Sequence, residues 1–98
     1  MSSPDSFLIG RSFRVPGLGV LVLPTAPAPD WLASYALHTA LALHLHRPGY
    51  PPLPLPATVE ELAAEGEPAT RALLLDADPG GELPVGAWLA RSATEPTP

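Results

Sequence analysis

The chain contains no cysteine and only one methionine among its 98 residues. Without cysteine it forms no disulfide, offers no thiolate ligand to zinc and has no cysteine nucleophile. Its stability must therefore come from the burial of apolar side chains. The hydrophobic content of 46% is enough for the core of one compact domain, and the chain is too short for a second core.

Long apolar runs and clustered basic residues are absent as well. No segment reaches the roughly 18 uninterrupted apolar residues of a membrane-spanning helix, and the N-terminal MSSPDSF lacks the pattern of a signal peptide. We therefore expect a cytoplasmic protein without a membrane partner. The five basic residues are arginines spread singly along the chain, against ten acidic residues. Because nucleic-acid binding needs clustered cationic side chains, we expect no nucleic-acid partner.

Proline is abundant, at 15 residues, and it interrupts most apolar segments. Since proline breaks helices, this pattern argues against long helices and favours short strands. The strands predicted with most support are Phe7–Arg14, Gly19–Leu23, Leu53–Leu62, Arg71–Asp76 and Leu83–Ala90. We expect Pro16 and Gly17 to form a turn between the first two, and Gly19 to allow another backbone to come close.

The segment Trp31–Arg47 allows two interpretations. Asp30 could cap a helix with leucines at i, i+4 spacing. From Tyr35 on, alternation with a period of two fits better and places the leucines on one face of a strand. The residues on the opposite face would include His38, His44 and His46. We therefore favour a long strand.

About six short strands separated by turns predict an all-β protein with a small closed or partly open barrel. We expect one barrel domain over residues 7–90, a flexible N-terminus over 1–6 and a disordered tail over 91–98. Alternation in the first strand predicts that Phe7, Ile9 and Phe13 point into the core.

Two groups of residues match the pattern of a known barrel. In the first hairpin they are Phe7, Ile9, Phe13, Val15, Gly17, Gly19, Val20 and Val22, and near the end they are Leu73–Leu75 followed by Leu83–Trp88. With these residues the chain resembles, over most of residues 6–90, the β-barrel domain that follows the nucleotide-binding domain in translational GTPases of the elongation-factor type. The resemblance implies a translation-factor type of barrel. The phosphate loop of such GTPases is absent, so it implies nothing about GTP.

No constellation of catalytic residues stands out. None of the serines lies in a G-x-S-x-G elbow, and no histidine is placed by sequence to activate one. The segment 76–82 begins like a calcium loop, but the acid expected eleven residues after Asp76 falls on Ala87, and Pro79 disturbs the loop geometry. We read this segment as a turn. The prediction is a non-catalytic protein without a cofactor.

His44 and His46 form the one spacing typical of metal ligands. On a strand the two side chains share a face, with Cα atoms about 7 Å apart, and such a pair can chelate a transition metal if a neighbouring strand adds a third ligand. The interpretation that we favour is a solvated outer face. A small histidine-based metal protein remains an alternative.

The segment RPGYPPLPLP favours protein binding. Tyr50 and the prolines around it could form a rigid hydrophobic contact surface, or the loop could fold back over one mouth of the barrel. The acidic stretch 60–67 could attract a basic partner. The contact residues predicted here are Tyr50, Leu53, Leu55, Glu60 and Glu61.

The predicted function is therefore that of an interaction module that binds another protein through the 48–56 loop and the acidic 60–67 stretch. An RNA- or ribosome-associated accessory module, as the resemblance implies, is the alternative. Pro54 and Pro56 cannot donate ladder hydrogen bonds, so they predict that their strand starts at a sheet edge or at a bulge. Such an edge could pair with a second copy, which leaves a homodimer open.

Overall fold

The computed structural model of the chain is a closed barrel of six strands with one short helix. It describes residues 6–25, 28–63, 65–76, 83 and 86–91. The elements are β1 (Ser6–Val15), β2 (Gly19–Pro24), α1 (Asp30–Ala33), β3 (Ala40–His46), β4 (Leu53–Leu62), β5 (Thr70–Leu75) and β6 (Trp88–Arg91). The strand order is β1-β2-β5-β4-β3-β6, every neighbouring pair is antiparallel, and β6 pairs with β1. The predicted all-β class and six-stranded barrel are confirmed.

Strand β1 closes the barrel because it pairs with a different strand in each half. Ser6–Leu8 pairs with β6, and Arg11–Val15 pairs with β2. Between the halves the register with β2 shifts by one residue at Gly10. A Cβ on Gly10 would lie 3.0 Å from the Cα of Thr25. The residue at the register shift must therefore be one without a side chain, which is glycine.

The core is made of side chains that alternate inward along the strands. Those with at most 1% exposure include Phe7, Val22, Leu43, Leu45, Val59, Leu73, Leu75 and Leu89. Each side chain of this size contributes about 1.5–3 kcal/mol when it is buried. No polar or charged residue is buried within the described part of the chain. The barrel is therefore stabilised by apolar packing, as the lack of cysteine requires.

Helix α1 lies at one mouth of the barrel. The chain leaves β2 and enters β3 at this same end, and the connection between them buries Trp31 and Leu32 in the core cluster. The predicted long strand over 31–47 is therefore wrong before Ala40 and right from Ala40 to His46. Pro29, not Asp30, occupies the N-cap position, no side chain caps the N-terminus, and the helix covers only one turn. Among the described residues no helix is long and apolar enough to cross a membrane.

His38 lies outside β3, in the turn before it. Its φ of 71° is in the left-handed region, which interrupts an extended chain. Its backbone N–H donates to the carbonyl of Val59 at 2.6 Å and so ties the turn to β4. His38 therefore does not share the face of His44 and His46.

The prediction that Phe13 points into the core is wrong. Beyond the register shift at Gly10 the side chains of β1 change faces, so Phe13 lies opposite Leu21, on the other side from the buried Val20 and Val22. Its side chain is 45% exposed. Ile9, which precedes the shift, points into the core as predicted.

The remaining strand predictions agree with the structure to different degrees. Strand β4 has the predicted bounds, whereas the predicted strand over 83–90 begins only at Trp88, after a left-handed Gly86 with φ of 97°. The barrel extends from Ser6 to Arg91. Ser6, placed in the predicted flexible terminus over 1–6, begins β1, and Arg91, placed in the predicted tail over 91–98, ends β6. The other residues of these two segments and the predicted turn over 77–81 lie outside the described residues.

Among the described glycines, Gly19 lies closest to another backbone, where β2 meets the end of β5. Its φ is 134°, and a Cβ at this position would overlap the carbonyl oxygen of Leu75. We expect Gly19→Ala to lower the free energy of unfolding by about 3 kcal/mol or more. The control is Gly17→Ala, where φ is 80° and no atom is close, which should cost about 1 kcal/mol. Urea unfolding measures both, and equal losses would contradict this packing.

The two phenylalanines of β1 should differ strongly in their contribution to stability. Phe7 is fully buried and Phe13 is 45% exposed. Phe7→Ala should therefore lower the free energy of unfolding by about 3–5 kcal/mol, and Phe13→Ala by less than about 1 kcal/mol. Thermal unfolding of both variants checks this, and a large loss at Phe13 would show that the shift at Gly10 is misplaced.

Candidate protein-binding face

A continuous part of the outer surface of four neighbouring strands carries no Asp, Glu, Lys or Arg. It ends at Glu60, which points to the same side of β4 as Thr58 and accepts a hydrogen bond from it. The register of β1, β6 and β3 places Leu8 opposite Trp88 and Trp88 opposite His46. Directly opposed residues point to the same side of a sheet, so these three side chains form one row. A second row crosses all four strands through Ser6, Ala90, His44 and Pro54.

Further pairs of β3 and β4 extend this surface. Ala42 lies opposite Pro56, and Ala40 lies opposite Thr58. We name the whole surface the neutral face. It consists of Ser6, Leu8, Ala40, Ala42, His44, His46, Pro54, Pro56, Thr58, Trp88 and Ala90. Leu8 is 47% exposed, and the alanines of β3 and both prolines are exposed as well.

Among the described residues, the beginning of β4 has no strand paired to it on one side, so it forms a local edge within the neutral face. Strand β5 ends at Leu75, and the last bond on that side runs from the N–H of Asp76 to the carbonyl of Pro56, at 2.9 Å. The N–H and C=O of one residue point to the same side of a strand, so the ring nitrogens of Pro54 and Pro56 face this edge. The edge therefore occurs where the prolines predicted it. Because neither proline can donate, a strand added here would form an incomplete ladder.

A shallow groove of about 390 Å³ lies on this part of the neutral face. It is lined by residues 40–44 of β3 and by Pro54, Leu55 and Pro56 of β4. Small alanine side chains and the missing neighbour strand leave the space open. The groove is apolar on most of its surface and includes one imidazole, that of His44.

His46 and Trp88 form a stacked pair on the same face. Their ring centroids are 3.9 Å apart and their planes differ by 5°. Stacking uses the faces of both rings, so the nitrogens at the edge of the imidazole are left available for other contacts. The pair fixes the position of both side chains on an otherwise smooth surface.

Tyr50 lies beside the neutral face in the loop between β3 and β4. Its side chain is 59% exposed, and the guanidinium carbon of Arg47 lies 4.3 Å from the centre of its ring. This cation–π contact positions the ring without burying it. The ring of Tyr50 is therefore available at the surface, which agrees with the first of the two interpretations of this loop.

The two leucines predicted as contact residues face the other way. Leu55 is 5% exposed and belongs to the core, and Leu53 is half-buried and packs against it. Both alternate with the prolines that do face outward. These leucines support the neutral face from the interior of the barrel.

The two predicted glutamates do not form a common patch. They are adjacent in β4 and so point to opposite sides of the sheet. Nδ1 of His38 lies 3.1 Å from Oε1 of Glu60, and Oε2 of the same carboxylate accepts a hydrogen bond from the hydroxyl of Thr58 at 2.9 Å. Glu61 lies 3.9 Å from Nε of Arg71. From Leu53 to Glu60 the strand rises by about 24 Å, so these carboxylates are far from the Tyr50 loop.

Nothing in the described residues assembles a catalytic or a three-ligand metal site. The hydroxyls of Ser34 and Thr39 donate to the carbonyls of Trp31 and Ala36, three residues earlier in each case, as turn residues do. No three His, Asp or Glu side chains come together within the part of the chain that the structure describes. His44 and His46 do share the neutral face, as the sequence predicted, and His38 does not.

Most residues of the neutral face were not predicted from the sequence. Leu8, Ala42, Trp88 and Ala90 are not unusual in their own segments, and they meet only through the pairing of β1, β6 and β3. The local signals in the sequence were the alternation that placed His44 and His46 on one face of a strand, and the two prolines, Pro54 and Pro56, at the start of β4.

Comparison with known proteins identifies no relative. No family model, no curated protein and no solved structure matches this chain.

The stacked pair should contribute measurably to stability. We expect a coupling free energy of about 1 kcal/mol between His46 and Trp88 in a double-mutant cycle with His46→Ala and Trp88→Leu. The control cycle combines Trp88→Leu with His38→Ala, at a histidine outside the face, and should be additive. Urea unfolding of each variant gives the values. Additive losses at His46 and Trp88 would mean that the rings do not interact.

Proposed function

We propose that this protein is a non-catalytic interaction module that binds another protein molecule through the neutral face and the adjacent Tyr50. The observation that carries the proposal is the distribution of charge. The chain has five basic and ten acidic residues, yet eleven outward positions on four strands carry none of them.

The composition of this surface is that of the centre of an interface. Interface centres are poor in charged residues and rich in aromatic ones, and tyrosine and tryptophan often dominate the binding energy. Tyr50 is exposed and held by Arg47, and Trp88 is held by His46. Side chains that are already fixed lose little conformational entropy when a partner binds.

The role of the acidic stretch is secondary in this proposal. Glu65 and Glu67 are exposed, but they follow the far end of β4, and Glu60 is engaged by His38 and Thr58. They would add an electrostatic contact only for a partner that extends along the whole barrel.

The scaffold itself we interpret as a barrel of the translation-factor type that has kept its architecture and changed its partner. The closed six-stranded antiparallel arrangement is compatible with this interpretation. A cytoplasmic location is part of the same proposal and follows from the composition. None of the contacts described above favours RNA over protein.

Site-specific photo-cross-linking tests the proposal. A photoreactive amino acid replaces Ala42, at the centre of the neutral face, and in separate proteins replaces Leu37 or Leu62. These two controls are 39% and 41% exposed and lie outside the face. In nuclease-treated extract of the native cells we expect a discrete protein adduct, another protein or a second copy of the chain, only from the Ala42 position.

A second variant separates binding from mere exposure. Tyr50→Ala in the Ala42 probe protein should weaken the adduct several-fold, because it removes an exposed aromatic contact without disturbing the core. Equal adducts from all three probe positions, or no adduct from Ala42, would refute the proposal.

A further inference from the structure

We infer that His44 and His46 are half of a zinc site, and that a second copy of this chain supplies the other half when two neutral faces meet. The inference rests on the proposed function, because it names the partner of the neutral face as a second copy. It adds a metal site and an assembly that depends on the metal.

The two histidines have the geometry of a chelating pair. They lie two residues apart on β3, on the same face, with Cα atoms about 7 Å apart. Imidazole is a good ligand for zinc, with Zn–N distances of about 2.0–2.1 Å. The neighbours of His44 across the strands are Ala90 and Pro54, which are small or rigid and leave room above the imidazole.

Apart from the stacking of His46 on Trp88, neither imidazole is engaged by another described residue. Whereas His38 contacts Glu60, no hydrogen bond or ion pair joins His44 or His46 to another described residue. The ring of His46 is oriented by Trp88, whose stacking leaves the ring nitrogens accessible. The ring of His46 is thus already held in place, and among the described residues no carboxylate competes with zinc for either imidazole.

One chain cannot complete the site within its described residues. Structural zinc takes four ligands in a tetrahedron, the neutral face offers two, and no cluster of three ligands is found in the described ranges. A twofold axis through the metal doubles two ligands to four, since such an axis brings the same patch of both subunits together. The eleven positions of the face carry no acidic residue, and Glu60 borders the face only at Thr58, so two chains of net charge −5 can approach each other here.

The size of the face explains why a metal would be needed. One outward position covers about 33 Å² of the sheet, which is the spacing between strands multiplied by twice the rise per residue. Eleven such positions cover about 360 Å². A stable interface buries about 800 Å² on each partner. Apolar contact alone therefore falls short, and we expect the chain without metal to be monomeric.

The experiment uses untagged full-length protein, since a histidine tag would itself bind zinc. The protein is stripped with EDTA, and its mass is measured by sedimentation with and without zinc chloride. We expect the mass to double with zinc, one zinc ion per two chains, and a return to monomer with EDTA. His44→Ala and His46→Ala should remain monomeric, and His38→Ala, the matched control, should dimerise as the parent does.

A further variant tests the face separately from its ligands. Ala42→Glu leaves both histidines in place but puts a carboxylate at the centre of the contact, so the zinc-dependent dimer should be lost. The inference is overturned by an unchanged mass with zinc, by one zinc per chain without dimerisation, or by a dimer that survives His44→Ala. If the chain stays monomeric with zinc but cross-links from Ala42 to another protein, this inference is refuted and the proposed function stands. If no cross-link forms from Ala42, both are refuted.

Discussion

The pairing of β1 with β6 closes the barrel, and the arrangement of the whole surface depends on it. Phe7 lies opposite Leu89 on the inner side of this pair, and Leu8 lies opposite Trp88 on the outer side. The same strand must also pair with β2, and the shift at Gly10 lets it do both. Without closure, β6 would be a free edge, and the rows that join Leu8, Trp88 and His46 would not exist.

In the closed barrel some side chains point inward and form the core, and the others point outward and form the surface. The inward group is almost entirely aliphatic, with Phe7 and the helix residues Trp31 and Leu32 filling the remaining space. Because this core contains neither a buried charge nor a buried polar side chain among the described residues, it needs no internal hydrogen-bond network. The fold therefore does not dictate which outward side chains are polar or charged. The absence of charge from the neutral face is best explained by binding.

Prolines protect the same surface against unwanted pairing. Pro54 and Pro56 lie where β4 extends beyond the end of β5. They lack the backbone N–H groups that an incoming strand would bind. The surface is thus suited to contacts between side chains rather than to the addition of a strand. This distinction favours a specific partner over indiscriminate aggregation.

Local signals in the sequence predicted the parts of the fold that depend on local chemistry. The bounds of β4 and the close approach at Gly19 follow from proline, glycine and alternation within a few residues, whereas the sequence left the exposure of Tyr50 open. Alternation would also have placed Leu55 inside, opposite in sense to Pro54 and Pro56.

Other features required pairing information that a single segment does not contain. The one-residue shift that turns Phe13 outward depends on how β1 meets both β2 and β6. Helix α1 forms where an apolar connection crosses the mouth of the barrel, and burial of Trp31 there outweighs the alternating pattern. The neutral face combines four strands from both ends of the chain, so its members meet only once the barrel is closed.

Amide NMR of the ¹⁵N-labelled protein in extract of its native cells tests the central claim most directly, since it reports binding at each residue without a probe or a substitution. We expect added extract to broaden the signals of Ala40, Ala42, His44 and Ala90 selectively, and to leave those of the β1–β2 hairpin tip, such as Phe13 and Leu18, sharp. Selective broadening at the hairpin tip, or no selective broadening at all, would contradict the assignment of binding to the neutral face.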